Sequence, residues 1–165
     1  MTTEIERKWI VSEPPPAETL GPGDELRQGY IARENDVEVR VRITASSTRI
    51  TVKGGSGLSR TEVELEINDD AGKELWSLTE GRRIEKVRHR VALGAAVAEV
   101  DIYDGALAGL VSVEVEFASV DEAGLFVPPA WFGREVTGDS AWSNASLAER
   151  GLPSSRGPSP SLRST

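Results

Sequence analysis

The 165-residue sequence contains no cysteine and a single histidine, His89. Without cysteine the chain can form neither disulfides nor thiolate metal sites, and one histidine excludes a metal site built from several imidazoles. No stretch approaches the roughly 18 apolar residues of a membrane-spanning helix, and the N-terminus lacks a basic region followed by an apolar one. We therefore predict a cytoplasmic protein with no membrane partner.

Positive charge is also scarce, since 19 Lys and Arg stand against 27 Asp and Glu, for a net charge of −8. That balance argues against nonspecific binding of DNA or RNA through a basic surface. A content of 38% hydrophobic and 28% charged residues is typical of a soluble globular chain. The length favours one domain, residues 1–152, and the Pro- and Ser-rich residues 153–165 are predicted to be a disordered tail.

Most of the chain consists of short segments in which apolar and charged residues alternate. A period of two is typical of a β-strand with one apolar face and one charged face. In the clearest example, residues 37–44, Glu38, Arg40 and Arg42 share the charged face, and valine and isoleucine occupy the other. The same pattern predicts strands at residues 4–11, 25–33, 48–53, 60–68, 83–93, 97–103 and 111–117.

The connections between these segments are mostly short turns, which indicate antiparallel hairpins. Eight such strands favour closure into a barrel, because closure removes exposed edges. Three helices are predicted. The first covers about residues 71–80 and is capped by Asp69 and Asp70, the second is short and begins at the capping-box pattern Ser119–Glu122, and the third covers about residues 143–150. We therefore predict an α+β fold, an eight-stranded antiparallel β-barrel with a few helices packed outside.

The alternation leaves open which face of the strands lines the barrel. In an ordinary soluble barrel the inside is apolar, and the charged faces would all be solvated. Two features favour the opposite arrangement: the charged faces segregate by sign, unlike most solvated surfaces, and the apolar residues of the helices need a surface to pack on. Charges inside need compensation, since desolvated like charges repel. A chain of phosphates with bound divalent cations would supply it.

Several motifs follow one another in a fixed order along nearly the whole chain. They are Glu4-x-Glu6-x-Lys8, Gln28-Gly29-Tyr30, Val39-Arg40-Val41-Arg42, Thr51-x-Lys53, Arg60-x-Glu62-x-Glu64, Lys86-x-Arg88, Glu99-x-Asp101, Glu114-x-Glu116-Phe117 and Arg134-Glu135-Val136-Thr137-Gly138. In this order and spacing they resemble the CYTH, or triphosphate tunnel metalloenzyme, superfamily, and its short bacterial members most of all. One departure is Trp142, where those members commonly carry a tyrosine.

The resemblance implies an eight-stranded tunnel with a charged interior, in which a triphosphate is hydrolysed or cyclised with Mg²⁺ or Mn²⁺. By position, the residues that resemble metal ligands are Glu4, Glu6, Asp101, Glu114 and Glu116. The residues that resemble the triphosphate-binding set are Lys8, Arg40, Arg42, Lys53, Lys86 and Arg88. Catalytic roles are expected for Lys8, Glu62 and Lys86, with Glu62 orienting the attacking water. Lys8 could instead keep Glu6 ionised, and the sequence leaves both roles open.

We predict from this pattern a metal-dependent triphosphatase that acts on a small-molecule triphosphate. Inorganic tripolyphosphate is the leading substrate, because no nucleoside-recognition motif is evident. The alternatives are adenylate cyclase or thiamine triphosphatase activity, and a non-catalytic module that binds polyphosphate or nucleotides. The carboxylates favour the enzyme, since a protein that only binds anions gains nothing from them. No nucleic-acid partner is expected, and the oligomeric state is left open.

Overall fold

A closed barrel dominates the structure, a computed structural model that describes residues 2–56 and 58–154. The strands are β1 (Thr2–Ile10), β2 (Gly23–Glu34), β3 (Val37–Ile43), β4 (Thr48–Gly54), β5 (Ser59–Ile67), β6 (Arg83–Leu93), β7 (Ala96–Tyr103), β8 (Val111–Glu116) and β9 (Arg134–Glu135). The first eight pair in the order β5-β4-β3-β2-β6-β7-β8-β1, and β1 pairs back onto β5. All of these pairings are antiparallel, so the predicted eight-stranded barrel is confirmed. The predicted tail lies outside the described residues from residue 155 onward.

The charged faces of the strands point into the barrel, and much of the apolar side packs outward. Val113 and Val115 on β8 belong to a buried outer cluster with Trp9 and Phe132, whose rings lie 4.8 Å apart in an edge-on contact. Two short helices cover this side, α1 (Ala17–Leu20) and α3 (Val120–Leu125). Full burial of each large apolar side chain contributes about 1.5–3 kcal/mol. The outer cluster therefore stabilises a barrel whose interior is free to be polar.

The last helix in the chain, α4 (Asn144–Arg150), lies across one end of the barrel instead of on its outer wall. Its Leu147 packs with Tyr30, Ile84 and Tyr103, which occupy inward-facing positions on β2, β6 and β7. The predicted α+β barrel with a few helices is confirmed, and α4 in addition covers one end of the barrel. The physical reason is that these inward positions are aromatic or aliphatic, so that end of the tunnel needs an apolar cover.

The remaining helix, α2 (Asp69–Ser77), begins at Asp69, one of the two residues that were predicted to cap it. The Asn68 side chain accepts a hydrogen bond from the Ala71 N–H at 2.8 Å, so Asn68 is the cap. Asp69 is already helical and instead accepts from the Thr48 hydroxyl at 2.9 Å. The predicted Ser119 cap is confirmed by a 3.1 Å bond from the Glu122 N–H.

The turn of helix after Pro16 and the two-residue strand β9 were not predicted, because neither is long enough to show a period. None of the helices in the described ranges is long and apolar enough to cross a membrane.

Candidate active site in the tunnel

The barrel encloses a cavity of about 200 Å³ that both signs of charge line. The predicted site residues on its wall are Glu4, Glu6, Lys8, Arg40, Arg42, Lys53, Arg88, Glu114 and Glu116. Glu62 joins them through an ion pair with Lys53. Lys86 and Asp101 lie behind the wall, with fully buried side chains. Alternation on β1, β3, β4, β6 and β8 therefore brings most of the predicted set together.

One wall of the cavity is cationic, because β3, β4 and β6 each turn basic side chains toward it. Arg40, Lys53 and Arg88 are all buried. Burial, and then repulsion from Arg40 and Arg88, lowers the pKa of Arg42 to about 10. Arg42 Nη1 lies 3.7 Å from Glu64 Oε1, longer than a hydrogen bond. Arg42 is therefore the least compensated cation of this wall, and an anion beside it would be favoured.

Glu114 on β8 lies between basic side chains of two other strands. Its Oε1 is 3.0 Å from Lys8 Nζ, and its Oε2 accepts a hydrogen bond from Arg88 Nη2 at 3.0 Å. Burial alone would raise the pKa of Glu114, but Lys8, Lys86 and Arg88 hold it well below its ordinary value. Glu114 is therefore a compensated anion that fixes the directions of Lys8 and Arg88.

Lys53 links acidic side chains of β1 and β5. Its ammonium donates to both oxygens of Glu4, at 2.6 and 2.9 Å, and lies 3.0 Å from Glu62 Oε2. Burial would raise the pKa of Glu62, but Lys53, followed by Arg40 and Arg42, holds it below its ordinary value. Glu62 is therefore ionised at neutral pH.

Glu6 and Glu116 stand directly opposite each other on β1 and β8. Neither carboxylate makes a hydrogen bond or an ion pair with any residue in the described ranges. Burial, and then the charge of Glu114, raises the pKa of Glu6 to about 7. Burial and the charge of Glu4 raise the pKa of Glu116 as well. Like charges opposite each other on neighbouring strands destabilise a sheet, so this pair favours a bound cation.

Behind the cavity wall, Lys86 and Asp101 form an ion pair of 2.5 Å between two fully buried side chains. Arg88 donates to both oxygens of Asp101 at 2.7 Å. Burial lowers the pKa of Lys86 to about 8. Burial would raise the pKa of Asp101, but Lys86 and Arg88 hold it below its ordinary value. Because both of its oxygens are occupied, Asp101 holds the guanidinium of Arg88 in place at the wall.

The segment that precedes α4 contributes polar residues to the cavity that alternation could not reveal. Thr137, Trp142 and Asn144 all line the cavity. The Thr137 hydroxyl accepts from the backbone N–H of Lys8 at 3.0 Å, and the Tyr103 hydroxyl donates to Asn144 Oδ1 at 2.7 Å. Irregular backbone carries no period, so the family-like motif that contains Thr137 was the one signal of this segment in the sequence.

Comparisons with known proteins agree with this architecture. An inorganic triphosphatase of Nitrosomonas europaea is 43% identical over 148 residues, which cover 88% of this chain and 97% of that protein. An inorganic triphosphatase of Acetivibrio thermocellus is 42% identical over 151 residues, which cover 90% of this chain and 95% of that protein. The chain belongs to the inorganic triphosphatase family. No family model matches it.

Among solved structures, an inorganic triphosphatase also has a fold similar to that of this chain. The crystal structure of an inorganic triphosphatase superposes with a TM-score of 0.68 at 39% identity, over 93% of this chain and 99% of that one. A putative adenylate cyclase of Bacillus halodurans superposes with a TM-score of 0.52 at 19% identity, over 76% of this chain and 87% of that one. At that identity the likeness shows the fold alone.

In this member of the inorganic triphosphatase family, the acidic side of the cavity offers oxygen donors. Across residues 2–56 and 58–154, no three His, Cys, Asp or Glu side chains lie close enough to hold a metal ion by themselves. Glu6 and Glu116 supply two hard carboxylates that form no ion pair with another described residue. Mg²⁺ is commonly bound by one or two carboxylates together with substrate phosphates and water, so the donor set fits such an ion.

Proposed function

We propose that this chain is a metal-dependent triphosphatase of the CYTH type that hydrolyses inorganic tripolyphosphate in its tunnel. The observation that carries the proposal is the meeting of a crowded cationic wall and two uncompensated carboxylates in one cavity. A polyphosphate chain neutralises the first, and a divalent cation bound to that chain neutralises the second. The family membership and the names of the two relatives support the same reaction.

The basic residues bind and orient the substrate. Arg40 and Arg42 on β3 and Arg88 on β6 present guanidinium groups, which match pairs of phosphate oxygens. Lys8 and Lys53 add compact ammonium charges. Holding the phosphates in place supplies the proximity contribution, and these cations stabilise the charge that spreads over the reacting phosphoryl group.

The acidic residues hold the metal and the nucleophile. Glu6 and Glu116 would hold Mg²⁺ or Mn²⁺, with Glu4 and Glu114 beside them. The ion would supply Lewis-acid polarisation of the phosphate oxygens. Glu62, kept ionised by Lys53, orients the attacking water and accepts its proton.

Lys86 and Asp101 act from behind the wall. Asp101 was expected among the metal ligands, but the contacts of both oxygens with Lys86 and Arg88 support a different role. We propose that the pair sets the position of Arg88 against the phosphates. Lys86, with a pKa of about 8, is the cation of this set that most readily exchanges a proton near neutral pH.

Trp142 favours a second candidate substrate. Its ring lines the cavity and is held by Arg134, whose guanidinium lies 5.3 Å from the ring centroid. A planar organic group attached to a triphosphate could stack on this ring. Thiamine triphosphate or ATP, the latter with cyclisation in place of hydrolysis, is therefore the alternative to the inorganic substrate.

We propose that the reaction takes place in the cytoplasm, with a small-molecule substrate and no nucleic acid.

The experiment that tests the function is phosphate release from tripolyphosphate, thiamine triphosphate and ATP, each with Mg²⁺ or Mn²⁺. We expect the highest kcat/KM with tripolyphosphate. Tight binding of tripolyphosphate without release of phosphate would instead identify a non-catalytic module. Higher kcat/KM with thiamine triphosphate or ATP, reduced by Trp142→Ala, would identify the second candidate.

A further inference from the structure

Gln28 places an unpaired amide inside the tunnel. It lies on the inward face of β2 and is completely buried, yet neither Oε1 nor Nε2 finds a hydrogen-bond partner among the described residues. Each buried polar group left unpaired lowers the stability of the folded protein, and an amide has two such groups. An apolar side chain of the same length would avoid this cost. Stability therefore gives no reason for an amide at this position.

The residue directly opposite Gln28 on β3 is Arg42. Side chains in that relation start from Cβ atoms only about 5 Å apart. Arg42 Nε is also buried and also lacks a hydrogen-bond partner within the described ranges. On the other side, the residue opposite Gln28 on β6 is the apolar Ile84. An unpaired carbonyl and an unpaired N–H donor therefore stand side by side on neighbouring strands.

Arg42 and Arg88, two of the arginines at the wall, differ in how they are held. Arg88 has its guanidinium fixed by both oxygens of Asp101. Within residues 2–56 and 58–154, the one ion pair of the Arg42 side chain is the 3.7 Å approach to Glu64. A carboxylate beside Arg42 would fix it but would also cancel its charge toward a phosphate. A neutral amide carbonyl can orient the guanidinium and leave that charge intact.

We propose that Gln28 is a positioning residue that sets the direction of Arg42 for phosphate binding. In the substrate complex Gln28 Oε1 accepts the Nε–H of Arg42, and the two terminal amino groups of Arg42 then form a fork for one phosphate. Gln28 thus acts through Arg42 and does not itself touch the reacting phosphate. This inference rests on the proposed function.

The test replaces Gln28 with methionine, which has a similar length and no hydrogen-bonding amide. We expect Gln28→Met to keep or raise Tm, because two unpaired polar groups are removed. We expect KM for tripolyphosphate to rise about three- to tenfold, the equivalent of one hydrogen bond, while kcat changes less. A residue with a merely structural role would show the reverse, a lower Tm with an unchanged KM.

A double-mutant cycle identifies the partner. If Gln28 acts through Arg42, then Gln28→Met has no further effect on KM in the Arg42→Ala background. An equal rise of KM in both backgrounds overturns the proposal.

Thr79→Val is the matched control, because Thr79 is a buried polar residue that packs on Gly29 from the outer side of β2. Its hydroxyl is already satisfied by the Trp76 carbonyl at 2.8 Å. We expect this variant to lower Tm and leave KM unchanged.

The remaining outcomes separate the inference from the function. Phosphate release by the wild type together with an unchanged KM for Gln28→Met overturns the inference alone. No turnover or binding of tripolyphosphate by the wild type overturns the proposed function, and the inference falls with it. Gln28→Leu is the second replacement, and failure of both variants to fold assigns Gln28 a structural role and overturns the proposal.

Discussion

Glu114 and Glu6 project into the same tunnel from paired strands, yet their surroundings push their pKa values in opposite directions. Glu114 contacts Lys8 and Arg88 at 3.0 Å, and its pKa lies well below the ordinary value. Glu6 stands opposite Glu116 without an ion pair to any described residue, and its pKa rises to about 7. Both are glutamates facing the cavity, so the neighbours alone make the difference.

The comparison separates two uses of charge in one site. Compensated carboxylates such as Glu114 and Asp101 hold basic side chains in position and contribute to the folded structure. Uncompensated carboxylates such as Glu6 and Glu116 weaken the empty protein and are stabilised when a cation arrives. The first group should therefore dominate stability, and the second should dominate metal-dependent activity.

The largest effect on stability is expected for Asp101→Asn. The substitution leaves Lys86 and Arg88 buried without their anion, and we expect the free energy of unfolding to fall by about 3–5 kcal/mol in denaturant titration. Asp70→Asn is the control, because it breaks the pair with Lys73 on the exposed face of α2 and should change stability by less than about 1 kcal/mol. A loss of similar size in both variants would contradict the structural role of Asp101.

Glu6→Gln and Glu114→Gln should change stability in opposite directions in EDTA at pH 8. The folded wild type holds a proton on Glu6 up to pH about 7, whereas the ordinary carboxyl releases it near 4.5, so ionisation of Glu6 costs stability as pH rises between these values. Glu6→Gln should therefore raise the free energy of unfolding by about 1–3 kcal/mol at pH 8, with the gain absent below pH 4.5. Glu114→Gln should lower it at pH 8, where the wild-type carboxylate is ionised and paired.

A loss of stability in both Glu6→Gln and Glu114→Gln at pH 8 would contradict this prediction. That result would mean that Glu6 is compensated like Glu114 and is not a ready cation site. Urea titrations of the two variants at pH 4, 6 and 8 are sufficient to decide.

A smaller effect of the same sign is expected for Glu116→Gln. The pKa of Glu116 is also raised, by partial burial and by the charge of Glu4, but much of this side chain remains in contact with solvent, which screens the repulsion. Thermal unfolding in EDTA at pH 8 should show a gain in Tm that is positive and below that of Glu6→Gln. A larger gain in Tm for Glu116→Gln than for Glu6→Gln would contradict the conclusion that Glu6 is the more destabilising carboxylate.

Much of the barrel follows from alternation along single strands. On β3, Val39 and Val41 alternate with Arg40 and Arg42, and the segregation of charge by sign predicted that the arginines face inward. The structure confirms this, because the arginines line the cavity while Val41 is buried on the other side. Local sequence was sufficient because successive side chains of a strand point to opposite faces of the sheet.

The pairing of charges could not be predicted in the same way. Glu6 stands opposite Glu116, and Asp101 stands opposite Ser112 on one side and Arg88 on the other, only because of the register between strands. Register depends on the whole closed sheet and is not written in any one segment. The family resemblance suggested Asp101 as a metal ligand, and that role stays a prediction. In the structure its carboxylate contacts the basic side chains of Lys86 and Arg88.

The rate of phosphate release from tripolyphosphate with saturating Mg²⁺ tests the central claim most directly, measured for wild type, Glu6→Gln and Glu74→Gln. Glu74 is an exposed acidic residue on α2 and controls for the loss of one negative charge. The account predicts that EDTA abolishes the wild-type rate, that Glu6→Gln loses about 100-fold while staying folded, and that Glu74→Gln matches wild type. A wild-type rate that persists in EDTA, or a folded Glu6→Gln with an unchanged rate, would contradict it.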